Sequence, residues 1–123
     1  MPHRPLLDAA AHAFALVSFA DADLDPAEEQ RFASFVAGEP DLKVASREEI
    51  AAAWSWAVGE VKASQSFGAP LVSIRIAIST TAEKASVMRA AQAAVVADGV
   101  EKEQEIVAIR ALAEALGLDP KSY

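Results

Sequence analysis

Residues 19–29 read FADADLDPAEE and residues 97–105 read ADGVEKEQE. Each stretch is an aspartate-bearing turn that runs into an amphipathic segment, and a shift of 77 residues lays one on the other without a gap. Ala20 and Asp21 fall on Ala97 and Asp98, and Glu28 falls on Glu105. Further along, Phe32, Phe35 and Val36 fall on Ile109, Leu112 and Ala113, and upstream Val17 falls on Ala94. The repeated unit is a helix, an Asp, a short turn, and a second helix whose first turn presents a Glu. Two copies of one such unit predict an all-α, compact bundle with pseudo-symmetric N- and C-terminal helix-turn-helix halves.

Working outward, the 3.6-residue pattern predicts about six helices. The first spans roughly 5–20, with Leu6, Ala10, Ala13 and Val17 on one side. The second starts after Asp25, which suits an N-cap, with Pro26 at the first helical position and Glu28 at N3 completing a capping box. It ends near Gly38, before Pro40. A second capping box, Ser46 with Glu49, opens a helix carrying Ile50, Trp54, Ala57 and Val61 at helical spacing. Pro70 opens a short fourth helix over 71–78, apolar on nearly every side except Arg75, which we expect at the centre of the bundle. Thr80 and Glu83 form a third capping box before a helix reaching about Ala97, and a sixth runs from about Glu103 to Leu116, with Gly117 placed to end it.

The length of 123 residues suits one domain, spanning 1–123. Hydrophobic residues make up 53%, so a core is within reach, and an alanine-rich chain with five glycines favours helices. With no cysteine, disulfides, thiolate metal ligands and thiol redox chemistry are excluded. The net charge of −7 disfavours nucleic acid and anionic membrane surfaces as partners. That charge is concentrated: residues 21–29 carry −5 and residues 98–105 carry −3, leaving +1 for the remainder. No stretch approaches the roughly 18 apolar residues of a membrane span, so the chain is not expected to span a membrane. Arg4 before the alanine-rich 9–20 faintly imitates a secretory signal, but Asp8 and His12 interrupt it, and a cytoplasmic location is the expectation.

Part of the acidity has a structural explanation, because carboxylates at helix N-termini complement the macrodipole. Asp25 and Glu28 are accounted for as capping residues, and Glu29, Glu101 and Glu103 as first-turn charges. Asp21, Asp23 and Asp98 lie in the turns and are not so explained. Carboxylates this close repel, and a hard divalent cation would relieve the repulsion. The spacing of Asp21, Asp23 and Asp25 invites comparison with an EF-hand, but Pro26 stands where that loop needs Gly, and Phe32 where it needs Glu. A shorter carboxylate site is the remaining cation reading, with Asp21, Asp23, Asp25 and Glu28 as first candidates and Asp98 and Glu105 as second. Ca²⁺ is the favoured ion, with Mg²⁺ and Mn²⁺ as alternatives, and no organic cofactor is indicated.

These same segments carry a family resemblance. ADGVEKEQE at 97–105, continuing through ALGLDP at 115–120, is similar to the C-terminal signature of the tellurite-resistance TerB family, and FADADLDPAEE at 19–29 resembles the N-terminal copy of that motif. The resemblance implies an all-helical domain associated with tellurite resistance and related stress responses, and an acidic surface associated with divalent metal. A related domain occurs in membrane-attached J-domain co-chaperones. The family's turn Asp and helix Glu map onto Asp21 with Glu28, and onto Asp98 with Glu105. Ala22 stands where the motif usually has Gly, and Val100–Glu101 departs from the usual acidic-then-apolar order. A thiol-free acidic domain is poorly suited to bind or reduce an oxyanion such as tellurite, so any role in resistance is expected to be indirect.

Two functions are therefore expected from different classes. The first is a non-catalytic, cation-binding stress module. The second is a protein-interaction module, scaffold or co-chaperone-like, whose acidic turns serve capping and docking to an unidentified partner. Trp56 matters to the second: we expect it to cover a second helix, whereas exposure would make it a partner-binding anchor. An enzyme is not indicated, because the serines lack a nucleophile motif and His3 and His12 are far apart with no cysteine to complete a zinc site. Arg75 is expected to pair with an acidic group or a helix C-terminus.

Overall fold

The computed structural model describes residues 4–19, 27–63, 68–98 and 103–122. Among them are six α-helices and no strand: α1 (Arg4–Ser18), α2 (Glu28–Gly38), α3 (Arg47–Ala63), α4 (Gly68–Ala77), α5 (Thr81–Asp98) and α6 (Glu103–Ala115), followed by a 3₁₀ turn at Pro120–Ser122.

Local signals set several of the boundaries. Ser46 and Glu49 form the reciprocal capping box expected of them: the Glu49 N–H donates to Ser46 Oγ at 3.1 Å, and the Ser46 N–H donates to Glu49 Oε1 at 3.0 Å. Thr80 and Glu83 repeat the arrangement at α5, with the Ser79 N–H also donating to Glu83 Oε1 at 3.1 Å. Those backbone N–H groups hold the Glu83 carboxyl below its ordinary pKa. At the far end of α6, Gly117 takes φ +75°, Leu118 N–H donates to the Ala113 carbonyl at 2.8 Å and Gly117 N–H to the Glu114 carbonyl at 3.0 Å. This is a Schellman stop, and Leu118 packs back on the core as such a stop requires.

The α2 start differs from expectation. Its N-cap is Ala27, with helical backbone angles and no side-chain cap bond, which places Glu28 at the first helical position instead of N3. Asp25 and Pro26 lie outside the described residues.

The centre of the bundle is α1, not α4. From Ala9 through Ser18 every residue of α1 is buried, and this helix touches each of the other five, most extensively α5, α3 and α4. Five alanines between positions 9 and 15 explain how. Small side chains on all sides let neighbouring helix axes approach closely, toward the short end of the roughly 8–10 Å range. The expectation that α4 lies at the centre is overturned by its exposed Val72 and Ile76. Only a stripe of α4, with Ile74 and Ala77 on it, faces inward, continued just past the helix end by buried Ile78. The largest buried side chains gather where α1, α2 and α3 meet: Phe14, Phe32 and Trp54 form a triangle of ring contacts with centroids 5.4–5.8 Å apart. Each such pair adds about 0.5–1.5 kcal/mol beyond its burial.

The repeat survives in three dimensions as matched burial. Val17 and Ala94, Glu28 and Glu105, Phe32 and Ile109, and Val36 and Ala113 are buried pair by pair. The first helices of the two units, α1 and α5, pack on each other, while α2 also reaches α5 and α6 also reaches α1.

A buried polar link ties the loop after α2 to α5. Glu39 accepts hydrogen bonds from Ser86 Oγ at 3.2 Å and from both Nε and a terminal nitrogen of Arg89, and this carboxylate holds the Arg89 guanidinium more firmly protonated than usual.

Two outcomes follow from this architecture. Ala10→Leu on α1 should destabilise the protein by about 1–3 kcal/mol, whereas Ala52→Leu on the exposed side of α3 should change it by less than about 0.5 kcal/mol, both read from denaturant midpoints. Because Glu83 has a lowered pKa in the folded state, its contribution is fully present above the ordinary glutamate value and is lost as pH falls through the lowered one. Glu83→Gln should therefore flatten the fall in melting temperature below about pH 4.

Candidate functional site

Of the six carboxylates singled out from the sequence, Asp21, Asp23 and Asp25 lie outside the described residues. Asp98 is the last residue of α5, one step earlier in the chain geometry than the connecting turn expected for it. Glu28 and Glu105 stand in the first turns of α2 and α6 and are both interior, 2% and 0% exposed.

Carboxylates are rarely buried without partners. Glu28 accepts from Ser18 Oγ at 3.2 Å and from Arg31 at 2.7 Å, so its negative charge is used to fasten the start of α2 to the end of α1. The charge-assisted bond to Arg31 makes this a structural anchor as well as a candidate ligand. Among the described residues, no group of three or more His, Asp or Glu side chains could hold a metal ion. Glu28 and Glu105 adjoin the acidic segments in sequence, and a cation bound there would depend on the turn aspartates for most of its oxygens.

A second site was not anticipated from the sequence. Between α1, α3 and α4 lies a cavity of about 510 Å³, walled by Pro5, Ala9 and His12 from α1, Trp56 from α3, and Ile76 and Ala77 from α4. His12 is 1% exposed. Its Nδ1 lies 2.7 Å from the Asp8 carbonyl oxygen, which can only accept, so Nδ1 carries the hydrogen. Its Nε2 has no hydrogen-bond partner among the described residues and lies 3.6 Å from Glu60 Oε2. The other Glu60 oxygen accepts from the Ser73 hydroxyl of α4, and Ser73 also lines the cavity. At the rim, Arg4 Nε donates to Asp8 Oδ1 at 3.1 Å.

Trp56 stands against His12 with ring centroids 4.7 Å apart and planes at 81°. Trp56 thus covers α1 at His12, as expected, but the residue is 49% exposed, which corrects the expectation that it would be buried there. Position 54 already turns its tryptophan into the aromatic triangle, and a residue two positions on points about 200° around the helix. Arg75 is likewise exposed and lines a groove with Ala115, Leu116 and Gly117 at the end of α6. The sequence did carry a partial signal for the cavity: Asp8 with His12, and Trp56 with Glu60, are each four apart and so share a helix face.

Comparison with known proteins bears on the repeat and its acidic turns. A family model described as tellurite resistance protein TerB matches residues 7–123. The chain belongs to the TerB family. Neither the curated proteins nor the solved structures yield a match. Among the described residues, no helix is long and apolar enough to cross a membrane.

The anchoring role of Glu28 can be measured. Glu28→Ala leaves Ser18 without its buried acceptor and Arg31 without its ion pair, and should lower stability by about 1–3 kcal/mol, while Glu29→Ala on the exposed face should change it by less than about 0.5 kcal/mol.

Proposed function

We propose that this TerB-family protein is a non-catalytic module that binds a divalent cation at its acidic turns, with Ca²⁺ preferred. The observation that carries the reading is the paired burial of Glu28 and Glu105, at matching positions of the repeat, within the two acidic segments that hold all of the net negative charge. A carboxylate kept only for solubility has no reason to be interior. Each copy thereby has a buried carboxylate within a stretch of sequence rich in acidic residues, where like charges repel. A hard cation bound by oxygen atoms would relieve the repulsion among the turn carboxylates. Asp21, Asp23 and Asp25 would supply the outer ligands with Glu28 behind them, and Asp98 and Glu105 would serve the second turn.

Family membership supports a place in tellurite resistance or a related stress response. The absence of cysteine directs that role away from thiol chemistry on the oxyanion itself and toward an indirect part through the cation. The interaction-module alternative draws on Trp56, whose exposed ring borders a cavity.

Ligand linkage gives the test, since a cation that binds only the folded state raises the melting temperature. Millimolar Ca²⁺ should stabilise the protein more than Mg²⁺, Mn²⁺ or Zn²⁺, and Asp21→Asn combined with Asp23→Asn should abolish the shift. Absence of any shift at millimolar ion, or a full shift in the double variant, would remove the proposal.

A further inference from the structure

We infer that the cavity between α1, α3 and α4 binds a small organic ammonium ion with an apolar body, independently of the acidic turns. Its volume of about 510 Å³ falls in the range of small-molecule sites, which are mostly apolar with a few converging polar groups. Here the polar groups have one character: they accept. In the neutral imidazole the one ring hydrogen goes to the Asp8 carbonyl, which leaves Nε2 as a buried lone pair. Glu60 Oε2 faces that lone pair at 3.6 Å, and the Ser73 hydroxyl has already given its hydrogen to the other Glu60 oxygen.

Two acceptors face one another with no donor between them, and a single N–H-bearing group within hydrogen-bond distance of both would satisfy them together. Charge selects the donor. Arg4 and Asp8 neutralise each other at the rim, which leaves the Glu60 carboxylate, facing the neutral imidazole, as the net charge beside the cavity among the described residues. A monocation matches it, a carboxylate ligand would be repelled, and a neutral alcohol would meet the acceptors without the ionic gain. Trp56 adds an aromatic surface that favours a cation, and Ile76, Ala77, Pro5 and Ala9 accommodate the apolar body. Trp56 packs against the imidazole, so a ligand reaching Nε2 must shift that ring, and its indole N–H reports on binding.

The probes are n-hexylammonium, 1-hexanol and hexanoate, titrated into the intact protein while the two indole N–H resonances are followed by NMR. Hexylammonium should move the Trp56 signal, leave that of buried Trp54 nearly unchanged, and bind about tenfold or more tightly than 1-hexanol, while hexanoate has no effect. Glu60→Gln keeps an acceptor for Ser73 but removes the charge, and should weaken hexylammonium about tenfold without altering 1-hexanol. Ile76→Lys changes a residue that is 80% exposed, so the fold should be retained while an added cation at the rim blocks the site. The response should persist in the Asp21→Asn, Asp23→Asn double variant, which separates it from attraction to the acidic turns. Equal response to hexanoate, indifference to Glu60→Gln, loss of the response in the double variant, or no movement of the Trp56 signal at millimolar hexylammonium would overturn the inference.

Discussion

The structure depends on one packing constraint: α1 must be thin enough for the other five helices to reach it. Alanine at positions 9, 10, 11, 13 and 15 meets that requirement, and the helix is buried on all sides over that span. Close approach brings α5, α3 and α4 against it, and the larger side chains Phe14, Leu16 and Val17 fill what space remains. A helix this enclosed has no face for polar residues to escape to. His12, Ser18 and, one turn before, Asp8 must then find partners inside, and each does so across a helix boundary or along the helix: His12 with the Asp8 carbonyl and beside Glu60, Ser18 with Glu28, Asp8 with Arg4. Both candidate sites are thus consequences of what a wholly buried helix does with its few polar groups.

The internal repeat turns that constraint into a symmetric arrangement. The two equivalent first helices, α1 and α5, pack together, and each unit's second helix also contacts the other unit's first. A buried glutamate at the start of both second helices follows from the same register. In the first unit it acts as a cross-link, with Ser18 on α1 and Arg31 one turn along α2 both donating to it. The TerB family match spans the whole repeat, from residue 7 to residue 123.

Much of the fold was legible in the sequence because it was written in local chemistry. The Ser46–Glu49 and Thr80–Glu83 boxes and the Gly117 stop each encode a boundary within a few residues, and the hydrogen bonds at all three are those expected. The repeat was legible because its register has no gap. Which helix is central was not, because apolar character alone favoured α4, whereas the deciding quantity is side-chain size. Trp56 was legible in part: the spacing from Trp54 turns it away from the aromatic triangle and it meets α1 at His12, but its half-exposure at the cavity mouth was not. The cavity was out of reach altogether, since His12, Trp56, Glu60 and Ser73 converge from three helices and share only two four-residue spacings that hint at common faces.

The central claim is that the two acidic turns bind a cation as parts of one repeated design. Amide chemical shifts of the uniformly ¹⁵N-labelled protein during a Ca²⁺ titration test it most directly. The account predicts saturable shifts concentrated at 20–28 and 98–105, with other acidic positions such as Glu48 and Asp119 unmoved. Weak, unsaturated shifts spread over every exposed carboxylate, or none at either turn, would contradict it.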